Sequence, residues 1–389
     1  MILTVTPNPA LDLTWHVERL VPGETHRVPA GASRAGGKGV NVARVLHAQG
    51  VDVLALATAG GATGDEFAAD LVASGVPHEL VPVRGATRRS IAIVDTDAAH
   101  TAVLNEHGSP LSSDEAAALD AAVLDAAQQA RDARAEHGEA GEGDERDGRG
   151  ERPPATSGAH PNNLDGRELD VVVISGSLPP GYAPERLGAL VTALNAAGLR
   201  AIVDTSGPGL LEAARAGAYA LKPNGEELAA ATGLTDPEAG ARRLLELGAT
   251  LVVVSLGGDG LLLVSRAEAG RPVRARLPRV LRGNATGAGD AAVAAIAATI
   301  AESIAFDADS PRAADARRRL ARKAVAWSAS AVLVPLAGEL SPEHAALEAE
   351  VVVDPPRTAP TEHPDRPRNT AGAETTDTTD DTETAEDPA

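Results

Sequence analysis

From residue 171 onward the chain repeats one pattern: a short β-branched run, a turn rich in small residues and proline, then an amphipathic stretch of helical length. Strands are expected at Val171 to Ile174, at Ala201 to Asp204, up to Leu221, and at Leu251 to Val254. Helices are expected between them, from about Pro184, from Asn224 and up to Leu247. Such alternation leaves few folds open. It implies parallel strands joined by right-handed crossovers, with helices on both faces of a doubly wound α/β sheet. The N-terminal part fits the same scheme, with buried strands at 2 to 6 and Val53 to Ala59, a Gly-rich turn at Gly60 to Gly64 and a helix from Asp65 to Ser74. Two stretches do not fit. Thr14 to Arg34 is broken by Pro22, Gly23 and Pro29, and Arg88 to Asp95 alternates like a strand with one solvated face, so both are expected outside the main sheet.

The interior of this sheet must be aliphatic, because Trp15, Trp327, Tyr182, Tyr219, Phe67 and Phe306 are the only aromatic residues. The absence of cysteine excludes disulfides and thiolate chemistry. Met1 runs straight into a strand, and no apolar run reaches the ~18 residues of a membrane span, which points to a cytoplasmic protein that does not engage membranes. A net charge of −20 argues against nucleic acid as a partner. An Ala-rich helix is expected from Ser112 or Ser113 to about Arg131. Asp132 to Arg167 then lacks any periodicity and is expected to be a disordered insertion within one domain covering residues 1 to 351. A disordered acidic tail is expected from Val352 to Ala389, which carries ten Asp or Glu against three Arg.

One motif has the look of a reaction centre. In GNATGAGD, Gly283 to Asp290, small residues end in one carboxylate that opens an apolar helix. Free N–H groups and the positive end of the helix dipole make such a turn a natural phosphate site. A carboxylate beside it can take the proton from an attacking hydroxyl. The plainer reading is a helix cap. A second glycine cluster, AGGKGVNVA, opens another helix and carries Lys38 and Asn41. It is not a Walker A loop, since Ala32 stands where the first glycine would be and Gly39 follows Lys38. Lysine is scarce, with only Lys38, Lys222 and Lys323, so a lysine kept inside such a motif suggests a use for its compact ammonium. Asp12 follows the first strand, at the sheet edge where α/β proteins bind ligands.

Seven motifs in order, TPNPALD at 6 to 12, GGKGVNVA at 36 to 43, TR at 87 and 88, SGSLPPG at 175 to 181, KPNGEE at 222 to 227, SLGGDG at 255 to 260 and GAGD at 287 to 290, resemble the ribokinase or PfkB family of sugar kinases. The likeness is greatest to its 1-phosphofructokinase and tagatose-6-phosphate kinase branch. It implies a ribokinase-like fold whose small β lid is drawn from about 14 to 34 and 87 to 104. It further implies Asp290 as general base, the backbone of Gly287, Ala288 and Gly289 as anion hole, and Asp12, Gly37, Lys38, Asn41, Arg88 and Ser177 as binders of a sugar phosphate. Lys222, Asn224, Ser255, Gly257 and Gly260 would hold ATP, and Glu227 with Asn224 would organise Mg²⁺ through water. The implied reaction is ATP-dependent phosphorylation of a ketohexose monophosphate, foremost fructose 1-phosphate to fructose 1,6-bisphosphate. Tagatose 6-phosphate and fructose 6-phosphate are the rival substrates, a non-catalytic sugar-phosphate-binding regulator is the rival of another class, and a homodimer through the lid is the implied assembly. The chain departs from the family pattern at Asn284, Ala285, Thr286 and Ala291 around the GAGD run.

Overall fold

A computed structural model of the chain describes residues 1–98, 100–140, 171–268, 270–302, 306 and 308–354, with 130–140 as backbone only. The central sheet is built on β1 (Ile2–Thr6). One side of it carries β4 (Val53–Ala59) and β5 (His78–Pro82), and the other carries β8 (Val171–Ser175), β9 (Arg200–Asp204), β10 (Ala220–Leu221) and β11 (Leu251–Ser255), all mutually parallel. Beyond β11 the sheet turns antiparallel through β12 (Leu261–Ser265), β13 (Val273–Arg276) and β14 (Val352–Val353).

Because side chains alternate across a strand, each strand feeds two cores. Ile2, Val171, Val173 and Val253 face α1 (Lys38–Ala48), α8 (Ala288–Glu302), α9 (Pro311–Val332) and α10 (His344–Glu350). Leu3, Val172, Ile174 and Val252 face α3 (Ser113–Ala140), α4 (Pro184–Ala196), α5 (Pro208–Arg215), α6 (Gly225–Thr232) and α7 (Pro237–Leu247). The sheet is therefore doubly wound, with helices on both faces, as the alternation requires. The small side chains of α8 suit its position between α1 and α9, where every residue from Asp290 to Ile300 is buried.

A separate four-stranded sheet forms the lid, ordered β3 (Ala32–Gly36), β2 (Ala10–Val17), β6 (Arg88–Asp95) and β7 (His100–Asn105). It is anchored by a third core of Leu11, Ala35, Val40, Phe67 and Leu71, the last two on α2 (Gly61–Ser74). Several boundaries differ from the sequence-based expectation. Asp12 follows the first strand as expected but lies inside lid strand β2, which begins after only Pro7 to Pro9 and so ahead of the expected lid start at about residue 14. Helix α2 starts at Gly61 rather than Asp65. The preceding glycine serves close approach, because a Cβ on Gly60 would lie 2.2 Å from the Val83 carbonyl oxygen. Helix α3 runs to Ala140, past the expected start of the insertion at 132, and Val352–Val353 pair with β13 where the tail was expected to begin. Residues 141–167 and 355–389 of these two segments lie outside the described residues.

Candidate active site

The strand order reverses direction between β1 and β8, and in open α/β sheets the crevice beyond the carboxyl ends of such strands is the ligand site. A cavity of about 1530 Å³ opens there, lined among others by Asn8, Asp12, Lys38, Arg88, Ser177 and Asp290. Two helices begin on it, each introduced by a glycine with positive φ, Gly37 at 103° before α1 and Gly287 at 85° before α8. Neither glycine has room for a side chain. A Cβ on Gly37 would lie 2.9 Å from Thr6 Cγ2, and one on Gly287 would lie 2.8 Å from Ala337 Cα.

Asp290 sits in the first turn of α8, buried, and Asn41 Nδ2 donates to its Oδ2 at 2.8 Å. Burial pushes its pKa from 3.8 up to about 7, with Asp204 adding to the rise, while Lys38, Lys222 and the Asn41 hydrogen bond oppose it. Such a carboxylate exchanges a proton near neutrality. In the turn before it, Ala288 donates its N–H to the Ala285 carbonyl at 3.2 Å, whereas among the described residues no acceptor faces the N–H of Gly287 or Gly289. Gly287 and Gly289 line the same cavity as Asp290.

The two lysines singled out in the sequence meet on a residue that sequence reasoning missed. Asp204, fully buried at the end of β9, lies 3.4 Å through Oδ2 from Lys38 Nζ and 3.4 Å through Oδ1 from Lys222 Nζ. Burial alone would raise its pKa, but Lys222 and Lys38 outweigh that and hold it below the usual carboxylate value. Lys38 is likewise opposed by burial, and the carboxylates of Asp204, Asp290 and Glu227 raise it above the ordinary lysine value, so it stays charged. Glu227 Oε1 is 3.9 Å from Lys38 Nζ. Its other oxygen accepts from Asn224 N at 2.9 Å while Asn224 Oδ1 accepts from Glu227 N at 2.8 Å. The NxxE spacing is thus a capping box at α6, which fixes Glu227 and leaves one oxygen directed to Lys38.

On the lid side, Asp12 packs across the neighbouring strand at Gly36, where a Cβ would come within 1.9 Å of Asp12 Oδ2. Burial raises its pKa to about 6 against the pull of Arg88, Arg34 and Arg44 and a hydrogen bond from Ser90. Arg88 is fixed through Nε to the Asn8 carbonyl at 3.2 Å and through Nη1 to the Glu106 carbonyl at 3.1 Å, and Ser177 Oγ accepts from Asn8 Nδ2 at 3.0 Å. All of these line the first cavity together with Gly37 and Asn41, except Arg34, Arg44 and Gly36.

Lys222, Asn224 and Ser255 also line that cavity, but Gly257, Gly260 and Ala288 face a second one of about 800 Å³, walled by aliphatic side chains such as Leu261, Leu277 and Val325. Ser255 is common to both, so the second cavity adjoins the first beside the glycine turn of α8. Gly260 must lack a side chain, since a Cβ there would be 2.1 Å from the Ala275 carbonyl oxygen. The second cavity is thus mainly apolar, while the first brings the cations Lys38, Arg88 and Lys222 together with the carboxylates of Asp12, Glu106, Glu227 and Asp290.

Comparison with known proteins gives the family. Residues 7–132 and 153–343 match the model of the pfkB family carbohydrate kinases. The chain is 33% identical over 307 residues to a 1-phosphofructokinase of Xanthomonas campestris, spanning 77% of this chain and 83% of that one. It is 34% identical over 301 residues to the ATP-dependent 6-phosphofructokinase isozyme 2 of Mycobacterium tuberculosis, covering 76% of each. The crystal structure of Escherichia coli phosphofructokinase-2 in complex with potassium superposes with a TM-score of 0.71 at 28% identity, over 90% of this chain and 98% of that one. The chain belongs to the pfkB family of carbohydrate kinases, and is a phosphotransferase.

Proposed function

We propose that the protein transfers the γ-phosphoryl group of ATP to fructose 1-phosphate, giving fructose 1,6-bisphosphate, with Asp290 as general base. The observation that carries this reading is the buried Asp290 carboxylate, held by Asn41 at 2.8 Å between a turn with unspent N–H groups and a cavity that also holds Lys38 and Arg88. The base and ribose of ATP take the aliphatic second cavity, past Gly257 and Gly260, and the phosphates reach the first by way of Ser255 and Lys222. Asp12 orients the sugar hydroxyls with Gly37 and Asn41, while Arg88, Lys38 and Ser177 meet the phosphate already on the substrate. Asp290 takes the proton of the attacking hydroxyl, and the N–H groups of Gly287 and Gly289 stabilise charge on the transferring oxygens. Ala288, whose N–H is engaged, contributes mainly by shaping the turn.

The donor set suits Mg²⁺. Among the described residues no three acidic or histidine side chains form a cage, while Glu227 Oε1 lies outside the capping box, 3.9 Å from Lys38 Nζ. This fits an ion that retains much of its water, with Glu227 and Asn224 as its outer partners. Bound there, Mg²⁺ would screen charge on the phosphates. Substrates of this class, ATP and sugar phosphates, agree with a cytoplasmic setting, and lid strand β7, exposed throughout with Val103 and Leu104 bare, suits a dimer through the lid. The likeness to 1-phosphofructokinases favours fructose 1-phosphate, and the comparable likeness to 6-phosphofructokinases keeps fructose 6-phosphate as the second reading. Comparing kcat/KM for fructose 1-phosphate, fructose 6-phosphate, tagatose 6-phosphate and free fructose decides between them. A preference for fructose 1-phosphate is expected, and a preference for free sugar would overturn the reading.

A further inference from the structure

The segment between α9 and α10 touches three parts of the site at once. The Pro335 carbonyl accepts from Asn284 Nδ2 at 2.9 Å, just ahead of the glycine turn of α8, and Ala337 fills the space in front of Gly287. A Cβ on Gly338 would lie 3.0 Å from Arg44 Cδ and 3.3 Å from Asn41 Cα, so the segment also packs flush on α1. Glu339 then reaches the lid, where its Oε1 accepts from Arg34 Nη1 at 2.8 Å. Arg34 lies on β3 directly opposite Asp12 on β2, and residues so paired share one face of a sheet. The Arg34 side chain is 20% exposed and does not line the substrate cavity.

We infer that the Arg34–Glu339 ion pair tethers the lid to the anion-binding turn, so that both are positioning residues for the carboxylate of Asp12. The inference rests on the reading of Asp12 as the group that meets sugar hydroxyls. The physical argument is one of rigidity. Strand β3 lies at the edge of the lid sheet, and Ala35 on it, next to Arg34, is held from the core side by Asp70, which accepts its N–H at 2.9 Å and pairs with Arg44. Arg34–Glu339 is the corresponding hold toward the segment that braces Gly287. With both in place, Asp12 keeps a fixed relation to the turn where phosphate is transferred. Without Glu339, strand β3 and its partner β2 gain freedom, and sugar binding weakens while the nucleotide cavity is untouched.

The test compares Glu339→Gln, Arg34→Met, the double variant and the reversed pair Arg34→Glu with Glu339→Arg. A charged hydrogen bond partly screened by water corresponds to about a 3- to 10-fold effect. Each single variant should raise KM for the sugar phosphate by about that factor, with KM for ATP changed less than about twofold. The double variant should be no worse than the worse single one, and the reversed pair should recover part of the loss. If Arg34 instead bound the substrate phosphate itself and Glu339 held it back, Glu339→Gln would lower the sugar KM, and the inference would fall. Hydrogen exchange gives a readout that needs no turnover: amides of the β2–β3 pairing should exchange about 3- to 10-fold faster in Glu339→Gln, with those of β1 and β8 unchanged. Unaltered exchange would sink the tether while leaving the kinase reading intact. Wild-type protein that phosphorylates no sugar phosphate, yet shows the faster exchange in the variant, would sink the kinase reading alone.

Discussion

Replacing Asp290 by asparagine should separate activity from stability in opposite directions. The carboxyl is buried, and its pKa rises from 3.8 to about 7, chiefly through burial. A carboxyl with a raised folded pKa binds more protons folded than unfolded, so its penalty is absent below about pH 4, grows through the window from 3.8 to about 7, and is complete above it. A rise of that size corresponds to roughly 4 kcal/mol of destabilisation by the ionised group. The asparagine would keep an acceptor for Asn41 but add a buried N–H₂, at a cost of about 1–3 kcal/mol. The variant should therefore be more stable than the wild type by about 1–3 kcal/mol at pH 8, and since the wild-type penalty is absent near pH 4 while the cost of the buried N–H₂ remains, the order should reverse there, with the variant about 1–3 kcal/mol less stable. Its kcat should fall by on the order of 10² to 10⁴, as expected for a lost general base. Denaturant melts at pH 4, 6 and 8 with steady-state kinetics read both effects. A variant less stable than wild type at pH 8 would refute the argument from burial, and near-normal turnover would remove Asp290 from the chemistry.

Asp204→Asn leaves Lys222, 4% exposed, without its buried counter-charge, and should cost about 3–5 kcal/mol in denaturant melts at pH 7. Since the folded pKa of Asp204 is depressed, its contribution is present above about pH 4 and the gap between the two proteins should narrow as pH falls through the folded value. Arg88→Ala should raise KM for the sugar phosphate by about 10- to 150-fold with KM for ATP little altered, the worth of one charged hydrogen bond. The wild-type pH profile should lose kcat/KM as pH drops below about 7, where Asp290 takes up its proton, and a flat profile from pH 5 to 8 would count against it. Replacing residues 141–167 by a short Gly-Ser link should leave turnover within about twofold, loop length being cheap in free energy.

The doubly wound sheet was legible because its signal is local: β-branched runs and amphipathic stretches alternate whatever packs on them. The antiparallel edge of β12 and β13 was not, because its turn depends on Gly260 passing within contact of the Ala275 carbonyl, a tertiary fact. Asp12 was recognised as a ligand group, yet its place inside a lid strand depends on pairing with Arg34 and Ser90, which no local pattern records. Asp204 ends a strand at the carboxyl edge of the sheet, the same signal that drew attention to Asp12, and could have been found that way. Its meaning comes only from the two lysines, 166 and 18 residues away along the chain, that converge on it. Asn224 and Glu227 show the reverse case, in which one spacing carries both a helix cap and a carboxylate oxygen turned to Lys38. Helix α3 outran its expected end because Glu, Arg and Ala between 132 and 140 favour helix as readily as they favour solvent.

The most direct measurement follows the phosphorus itself. Wild-type protein and Asp290→Asn, each mixed with ATP, Mg²⁺ and fructose 1-phosphate, are watched by ³¹P nuclear magnetic resonance. The account predicts that the wild type consumes the γ-phosphate of ATP and yields a sugar with two phosphomonoester signals, those of C1 and C6, while the variant does so at least about 10²-fold more slowly. Release of inorganic phosphate without a second ester, or equal rates for the two proteins, would contradict it.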